Sequence, residues 1–369
     1  MTLATVLQES ETARESWRYT SLRALKDIAF SPADDIAVAA DALPAPLAAE
    51  NQRLVFINGV FSPALSTTAQ LPSGLLHAQA NHLTLTLAAE TCLAPQPLEL
   101  LFIWTKAEAA QQSATQLTLQ LGSHARLTLH ERHVSFGTGA AHAALVKFDI
   151  TLAEQAKLLH SRFQTCAPTD YHLATTNATL GKGAYYDQFC LSTGAALSRH
   201  SINVTLAAPE AQTRLLSAYL LHGAQHGDTT STIRHNAPQT TSQEHYRGVL
   251  SGKARGVFQG KIIVAAGAQK SDGQQMSRAL LLSPQAEANS KPELEIYADD
   301  VKCSHGATIG QLDDAALFYL QSRGIAKADA RALLTAAFLT ELLEAMGDNG
   351  GRTAAQKLVD SWLNTAEAA

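Results

Sequence analysis

The sequence predicts a mainly β protein whose strands stack into a parallel solenoid, with helical segments toward both ends of the chain. Apolar residues alternate with polar ones in many short runs, and this alternation gives each strand one apolar face. The clearest runs are 83–87, 117–121, 146–152, 202–206 and 262–264. Asn-Gly dipeptides, which favour tight hairpins, occur only at 58–59 and 349–350. Small polar residues in the other turns favour a solenoid, although a sandwich or barrel has a similar strand spacing.

Helical spacing of apolar residues is found near both termini. From residue 3 to about residue 50, this spacing predicts two short helices. After residue 310 it predicts three amphipathic helices, of which the first would be capped by Asp313 or Asp314 and ended by Gly324. A solenoid exposes open strand edges at its ends, so the helical termini are expected to cover them. The chain is therefore divided into a helical region with short strands (1–80), a solenoid core (81–310) and a C-terminal helical domain (311–369).

Composition and charge narrow the possible functions. The 369 residues are 46% hydrophobic and 17% charged, which indicates an ordered globular chain. The net charge of −5 lacks the excess of cations that nucleic-acid binding requires. The apolar runs are far shorter than the roughly 18 residues that cross a bilayer, and the acidic N-terminal segment does not have the form of a signal peptide. We expect a cytoplasmic protein with reduced cysteines and with neither a nucleic-acid nor a membrane partner.

Cys303 and His305 are the most specific candidates for a metal site in the sequence. On an extended strand their i, i+2 spacing puts both side chains on one face, where a thiol and an imidazole can bind one thiophilic metal ion. The same two residues are also compatible with an inert buried cysteine beside a hydrogen-bonded histidine. Spacing alone therefore leaves both interpretations open.

Other candidate motifs are weaker. Two histidine pairs could bind a metal ion, namely His130/His133 and His222/His226. Neither pair has a carboxylate or a cysteine at ligand spacing. The Gly-Lys-Gly segment at 181–183 lacks the complete phosphate-loop pattern. Five cations and no acid between 245 and 271 form either an anion-binding strip or a solvated strand face. No Gly-x-Ser-x-Gly elbow or assignable carboxylate pair supports an autonomous hydrolase.

A long C-terminal segment carries a recognisable pattern, DDVKCSHGATIGQLDDAALFYLQSRGI at 299–325. Further pieces lie upstream at 227–230, 233–235, 256–262, 268–270, 280–283 and 292–296, and WRYTSL occupies 17–22. Together these segments resemble the SufB/SufD family of the SUF iron-sulfur cluster assembly machinery. Members of the SufB type carry Glu-His-Glu where this chain has Ser-His-Gly at 304–306. The chain is therefore similar to the SufD branch of the family.

The resemblance implies a right-handed parallel β-helix core that assembles with SufB and with two copies of the SufC ATPase. It also implies that His305, and with it Cys303, supplies part of a transient iron or iron-sulfur site shared with SufB at their interface. ATP hydrolysis would then belong to SufC, which docks on the C-terminal helical domain. The expected docking residues are Leu317, Phe318, Tyr319, Leu320, Arg323 and Phe338. A reduced flavin on the complex, and a homodimer when SufB is absent, are further expectations.

Three functional hypotheses follow. The first is a non-catalytic scaffold subunit for iron-sulfur cluster assembly. The second is a free-standing β-helix carbohydrate-active enzyme, which should carry clusters of Asp, Glu or Arg on successive coils, whereas acids are sparse in the central β region. The third is a β-barrel that binds metal through scattered histidines without any partner. Co-purification with an ABC-type ATPase separates the first hypothesis from the second, and metal analysis of the isolated chain tests the third.

Overall fold

Alternating apolar residues form the strands of a parallel β-solenoid. The computed structural model describes residues 2–34, 36–47, 51–69, 71–79 and 81–366. Within them the strands are β1 (Ser31–Pro32), β2 (Gln52–Ile57), β3 (Val60–Thr67), β4 (Leu76–Gln79), β5 (His82–Leu87), β6 (Cys92–Thr105), β7 (Gln111–Leu121), β8 (Arg126–Phe136), β9 (His142–Leu152) and β10 (Lys157–Thr165). They continue as β11 (Tyr171–Leu180), β12 (Tyr185–Ser192), β13 (Leu197–Leu206), β14 (Gln212–Leu221), β15 (His226–His235), β16 (Thr241–Leu250), β17 (Arg255–Val264), β18 (Asp272–Leu281), β19 (Glu287–Ile296) and β20 (Lys302–Gly310).

Each coil of the solenoid gives one strand to each of two sheets. The first sheet contains β1, β4 and the odd-numbered strands from β5 to β19, while the second contains β2, β3 and the even-numbered strands from β6 to β20. Successive coils pair in parallel, and residues in register form columns that run through the interior. One such column is Leu85, Leu119, Ile150, Ala178, Val204, Ile233 and Ile262. The predicted mainly β fold with a parallel solenoid core is confirmed.

The two ends of the solenoid differ. At the N-terminal end, β3 pairs antiparallel with β2 and β4 pairs antiparallel with β5, so each sheet ends there in a hairpin strand. At the other end each sheet ends in a parallel strand: β19 pairs with β17, and β20 pairs with β18. The strand β2 also pairs in parallel with β6, so the second sheet includes a strand from the segment 1–80.

The helices lie on the faces of the sheets. They are α1 (Leu3–Thr12), α2 (Arg23–Lys26), α3 (Asp314–Ser322), α4 (Lys327–Glu344) and α5 (Asn349–Ala366), with a short 3-10 helix at Ala40–Ala42. Leu3 of α1 and Leu25 of α2 belong to a cluster with Leu145 and Leu173 on the outer face of the first sheet. The prediction that the helical termini cover the ends of the solenoid is wrong for α1, α2, α4 and α5, because their buried apolar residues pack against outward-facing apolar side chains of the sheets.

The second sheet supports the C-terminal helices in the same way. Leu339 of α4 and Trp362 of α5 pack with Phe189 and Leu216, whose side chains point away from the solenoid interior. The predicted helix cap is confirmed at α3, where the Asp313 carboxylate accepts the backbone N–H of Ala315 at 2.8 Å. Gly324 follows α3 at φ 87°, as predicted from its position. No helix of the described ranges combines the length and apolarity needed to cross a membrane.

Candidate functional site

The open end of the solenoid presents two free strand edges, those of β19 and β20. A free edge carries unpaired N–H and C=O groups that can pair with a strand from another chain. Three large apolar side chains are exposed beside these edges: Ile296, Tyr297 (65% exposed) and Ile309 (48% exposed). Exposed apolar groups at a strand edge are typical of a surface that a partner covers.

Cys303 and His305 both lie on β20 and point to the interior side of this last coil. The register of β20 against β18 places Cys303 beside Gly273 and His305 beside Gln275, two residues that are buried inside the solenoid. Within the described ranges β20 is the last strand of its sheet, and no further coil covers it. His305 is therefore exposed, whereas Cys303 is half-buried and packs against the interior cluster that ends the core.

The electrostatic surroundings favour a neutral thiol at Cys303 in the chain alone. Burial raises the pKa of the Cys303 thiol, the nearby Asp272 carboxylate adds to this, and a hydrogen bond with the Gly273 backbone opposes it. A soft metal ion displaces the proton of such a thiol when it binds. The pair therefore offers one sulfur and one nitrogen donor, both of which iron accepts.

This donor set is incomplete. Iron-sulfur clusters are commonly held by four ligands, mostly thiolates. Among the described residues no group of three or more His, Cys, Asp or Glu side chains is placed to hold a metal ion. A cluster carried as cargo at Cys303 and His305 would need further donors from outside the chain.

The predicted docking residues of the C-terminal helices fall into two groups. Phe318 (73% exposed) and Tyr319 on α3 project into solvent, and the Arg323 guanidinium stacks over the Tyr319 ring at 5.3 Å. Phe338 on α4 is half-buried, and its ring lies 5.2 Å from the guanidinium of Arg247 on β16. Leu317 and Leu320 are also half-buried. Leu333 on α4 is exposed as well, and the sequence analysis did not assign it to this surface.

Comparison with known proteins decides the family. The family model described as the SUF system FeS cluster assembly SufBD core domain matches residues 102–338. The chain belongs to the SufBD family of iron-sulfur cluster assembly proteins. It is 35% identical to the iron-sulfur cluster assembly protein SufD of Escherichia coli, over 91% of this chain and 85% of that protein. A SufBD family protein of Synechocystis is 34% identical over 89% of this chain and 82% of its own length. The chloroplastic protein ABCI7 of Arabidopsis thaliana is 34% identical over 53% of this chain and 42% of its own.

The interior of this SufBD family chain holds an ionic network that the sequence analysis did not find. The Glu131 carboxylate accepts hydrogen bonds from Arg162 Nε at 3.0 Å and from His160 Nε2 at 2.9 Å, and it also contacts His133. Hydrogen bonds and the charge of Arg162 outweigh the large effect of burial and hold the pKa of Glu131 well below its usual value. The signal in the sequence is that polar residues occupy the inward positions of β8 and β10.

The remaining candidate motifs of the sequence have structural partners in this SufBD family chain. His130 faces Asp348 at the start of α5, and His226 lies 3.0 Å from the Thr20 hydroxyl. The Gly-Lys-Gly segment at 181–183 is the turn between β11 and β12. In the cationic strip, Arg255 and Lys261 on β17 pair with Glu287 and Glu295 on the edge strand β19, respectively.

Proposed function

We propose that this chain is a non-catalytic scaffold subunit that pairs with SufB and binds the SufC ATPase. In this proposal Cys303 and His305 supply part of a site for iron or a nascent cluster at the interface with SufB, which supplies the remaining ligands. The cluster is cargo that passes through the site. We expect the protein to work in the cytoplasm, to pair with itself when SufB is absent, and to belong to a complex that can carry a reduced flavin.

One observation supports the interface site above all others. The two predicted ligands lie on the strand that ends the solenoid, so a second solenoid that pairs with this edge would meet both side chains directly. The exposed Tyr297 and Ile309 give such a partner apolar surface to cover. An incomplete donor set is what a site shared between two chains requires.

The C-terminal helices support the second half of the proposal. Phe318 and Tyr319 form an exposed aromatic surface on α3, and buried aromatic residues are frequent anchors of protein interfaces. ATP hydrolysis would belong to SufC. Because α4 and α5 pack on the second sheet, whose last strand is β20, nucleotide-driven closure of SufC would pull on the sheet that carries His305. This movement would open the interface and admit iron or a nascent cluster.

The decisive experiment separates assembly of the complex from cluster formation. His305→Ala in the co-expressed complex should leave the co-purification of SufB and SufC unchanged, because the side chain is exposed and the β20 backbone remains intact. It should abolish cluster yield, measured by iron and sulfide content after anaerobic purification. His77→Ala, at an exposed histidine on β4 at the opposite end of the solenoid, is the matched control and should keep the parent yield. A parent-like cluster yield in His305→Ala would refute the site.

Family membership favours this function over a carbohydrate-active enzyme. A pull-down of the tagged chain from native lysate, with identification of the co-eluting subunits, tests the partners. SufB and SufC should elute with it. Hydrolase activity in the isolated chain, without either subunit, would support the alternative.

A further inference from the structure

Three inward-facing residues on successive strands form a column that ends at His305. Glu244 on β16 is in register with Gln275 on β18, and Gln275 is in register with His305 on β20. In a parallel sheet, neighbouring strands lie about 4.8 Å apart and residues in register point to the same face. The column therefore connects the buried interior to the candidate interface site.

The side-chain amide of Gln275 uses its amino group in a hydrogen bond, whereas its oxygen has no partner among the described residues. The side chain is only 2% exposed. Its Nε2 atom donates to Glu244 Oε2 at 2.6 Å, while its Oε1 atom is buried and has no hydrogen-bond partner among the described residues. Buried amide oxygens nearly always have a donor, so an unpartnered one indicates a missing contact.

The surroundings fix the orientation of this amide. The Tyr246 hydroxyl donates to Glu244 Oε1 at 3.1 Å, which holds the carboxylate in place. Burial raises the pKa of the Glu244 carboxyl, and the hydrogen bonds from Gln275 and Tyr246 oppose this rise. In its ionised form the carboxylate only accepts hydrogen bonds, so the end of Gln275 that faces it is the amino group. Gly260 on β17 leaves the room for that group, since a Cβ there would lie 2.2 Å from Gln275 Nε2. The oxygen is thus the free end of the amide, and the next residue along the column is His305.

We propose that Gln275 is a positioning residue for His305: the structure does not contain a hydrogen bond between them, but rotation of the exposed imidazole brings its N–H to the unpartnered Oε1 atom and leaves the other ring nitrogen free to bind a metal ion. Histidine ligands of metals commonly donate their second N–H to such an acceptor, which fixes the tautomer and the ring orientation. The metal-binding consequence rests on the proposed function, whereas the fixed tautomer is a property of the metal-free chain.

The tautomer is measured first, in the metal-free full chain, by long-range nitrogen-proton NMR of histidine-labelled protein above neutral pH. His305→Ala identifies the signals of His305. The parent chain should show one dominant tautomer at this residue, and an equilibrating mixture would overturn the inference without any variant of Gln275.

The variant Gln275→Met should produce that mixture of tautomers. The matched control is Gln274→Met, on the opposite, exposed face of the same strand, and it should keep the parent signals. Parent-like signals in Gln275→Met would also overturn the inference.

Cobalt binding gives a second readout and separates this inference from the proposed function. Co²⁺ titration of the same proteins, followed by absorption, should show roughly 10- to 100-fold weaker binding in Gln275→Met than in Gln274→Met. Weak binding in His305→Ala with parent-like binding in Gln275→Met would reject the positioning role alone. Parent-like binding in His305→Ala would reject the metal site, while the tautomer measurement would still decide whether Gln275 holds the imidazole.

Discussion

The imidazole Nε2 of His130 on β8 lies 2.7 Å from Oδ2 of Asp348, and this contact fastens the last helix to the solenoid. The same oxygen accepts the hydroxyl of Ser161 on β10 at 2.7 Å. The other carboxylate oxygen accepts the backbone N–H of Gly350 at 3.1 Å, in the first turn of α5. Asp348 therefore joins two coils to the helix that it precedes.

Asp348→Ala should destabilise the chain by about 3 kcal/mol, because it removes a helix cap and leaves the buried His130 without its acceptor. Urea unfolding measures this change, and hydrogen exchange should increase first in α5. Asp360→Ala, at an exposed position of the same helix, should change the free energy of unfolding by less than about 0.5 kcal/mol. Equal effects of the two substitutions would contradict the role of Asp348.

The ionic network of the interior predicts a loss of stability at least as large as that of Asp348→Ala. Glu131→Gln should lower the free energy of unfolding by about 3 to 5 kcal/mol, because it leaves the buried Arg162 guanidinium without a countercharge. The midpoint in denaturant should fall while the m-value stays constant. Asp149→Asn removes the partly exposed pair with Lys147 and should cost about 1 kcal/mol or less. A loss at Glu131 as small as that at Asp149 would contradict the buried network.

His235 predicts a dependence of stability on pH. Burial, which outweighs the attraction of Asp272, lowers the pKa of His235 to about 4. The unfolded chain has a histidine pKa of about 6.5, so it binds more protons than the folded chain between these values. The contribution of His235 is therefore complete above about pH 6.5 and is lost as the pH falls toward 4.

His235→Gln should reduce the difference in unfolding free energy between pH 7 and pH 4 by about 2 kcal/mol. Urea unfolding at a series of pH values measures this. The exposed control His77→Gln should keep the parent profile. The interpretation fails if His235→Gln leaves the difference unchanged.

A substitution on the exposed surface of α3 should weaken binding of SufC without changing the stability of the chain. Phe318→Glu should prevent co-elution with SufC while changing the free energy of unfolding by less than about 0.5 kcal/mol, because the ring is exposed. Leu339→Ala, on the buried side of α4, should instead destabilise the chain by about 2 to 5 kcal/mol. Val60→Glu, an exposed apolar position on β3, is the control for added charge and should co-elute as the parent does. Unchanged co-elution of Phe318→Glu would exclude this residue from the docking surface.

Thiol labelling tests the interface at the open end. In the chain alone, an alkylating reagent should modify the exposed Cys92 first and the half-buried Cys303 more slowly. The buried Cys166 and Cys190 should react only after unfolding, because burial raises the pKa of both thiols. Addition of SufB should slow the labelling of Cys303 at least about tenfold by excluding the reagent, with Cys92 unchanged. Equal rates at Cys303 with and without SufB would place the interface elsewhere.

The sequence predicts the strands well because inward and outward positions alternate with a fixed period. Where the alternation breaks, the structure gives the reason: Leu215 faces the interior, whereas the adjacent Leu216 packs against the C-terminal helices. Such doubled apolar residues mark the covered face, whereas the sequence analysis inferred the position of the helices from the open ends of a solenoid.

The site is predictable only in part. The spacing of Cys303 and His305 assigns both to one face of a strand, but not to the last strand of the solenoid. The pairing of Glu131 with Arg162, and of Gln275 with His305, depends on the register between successive coils. That register is set by the lengths of the turns, and no local pattern in the sequence reports it.

The two poles of the molecule present strand edges of different direction. At one pole each sheet ends in an antiparallel hairpin strand, β3 or β4, and at the other in a parallel strand, β19 or β20. A pair that forms through β19 and β20 joins like edges of two solenoids and uses both, so the assembly is complete with two members. Contact between unlike poles would instead add subunits without limit and form fibres. The choice of pole thus decides between a defined pair and a polymer.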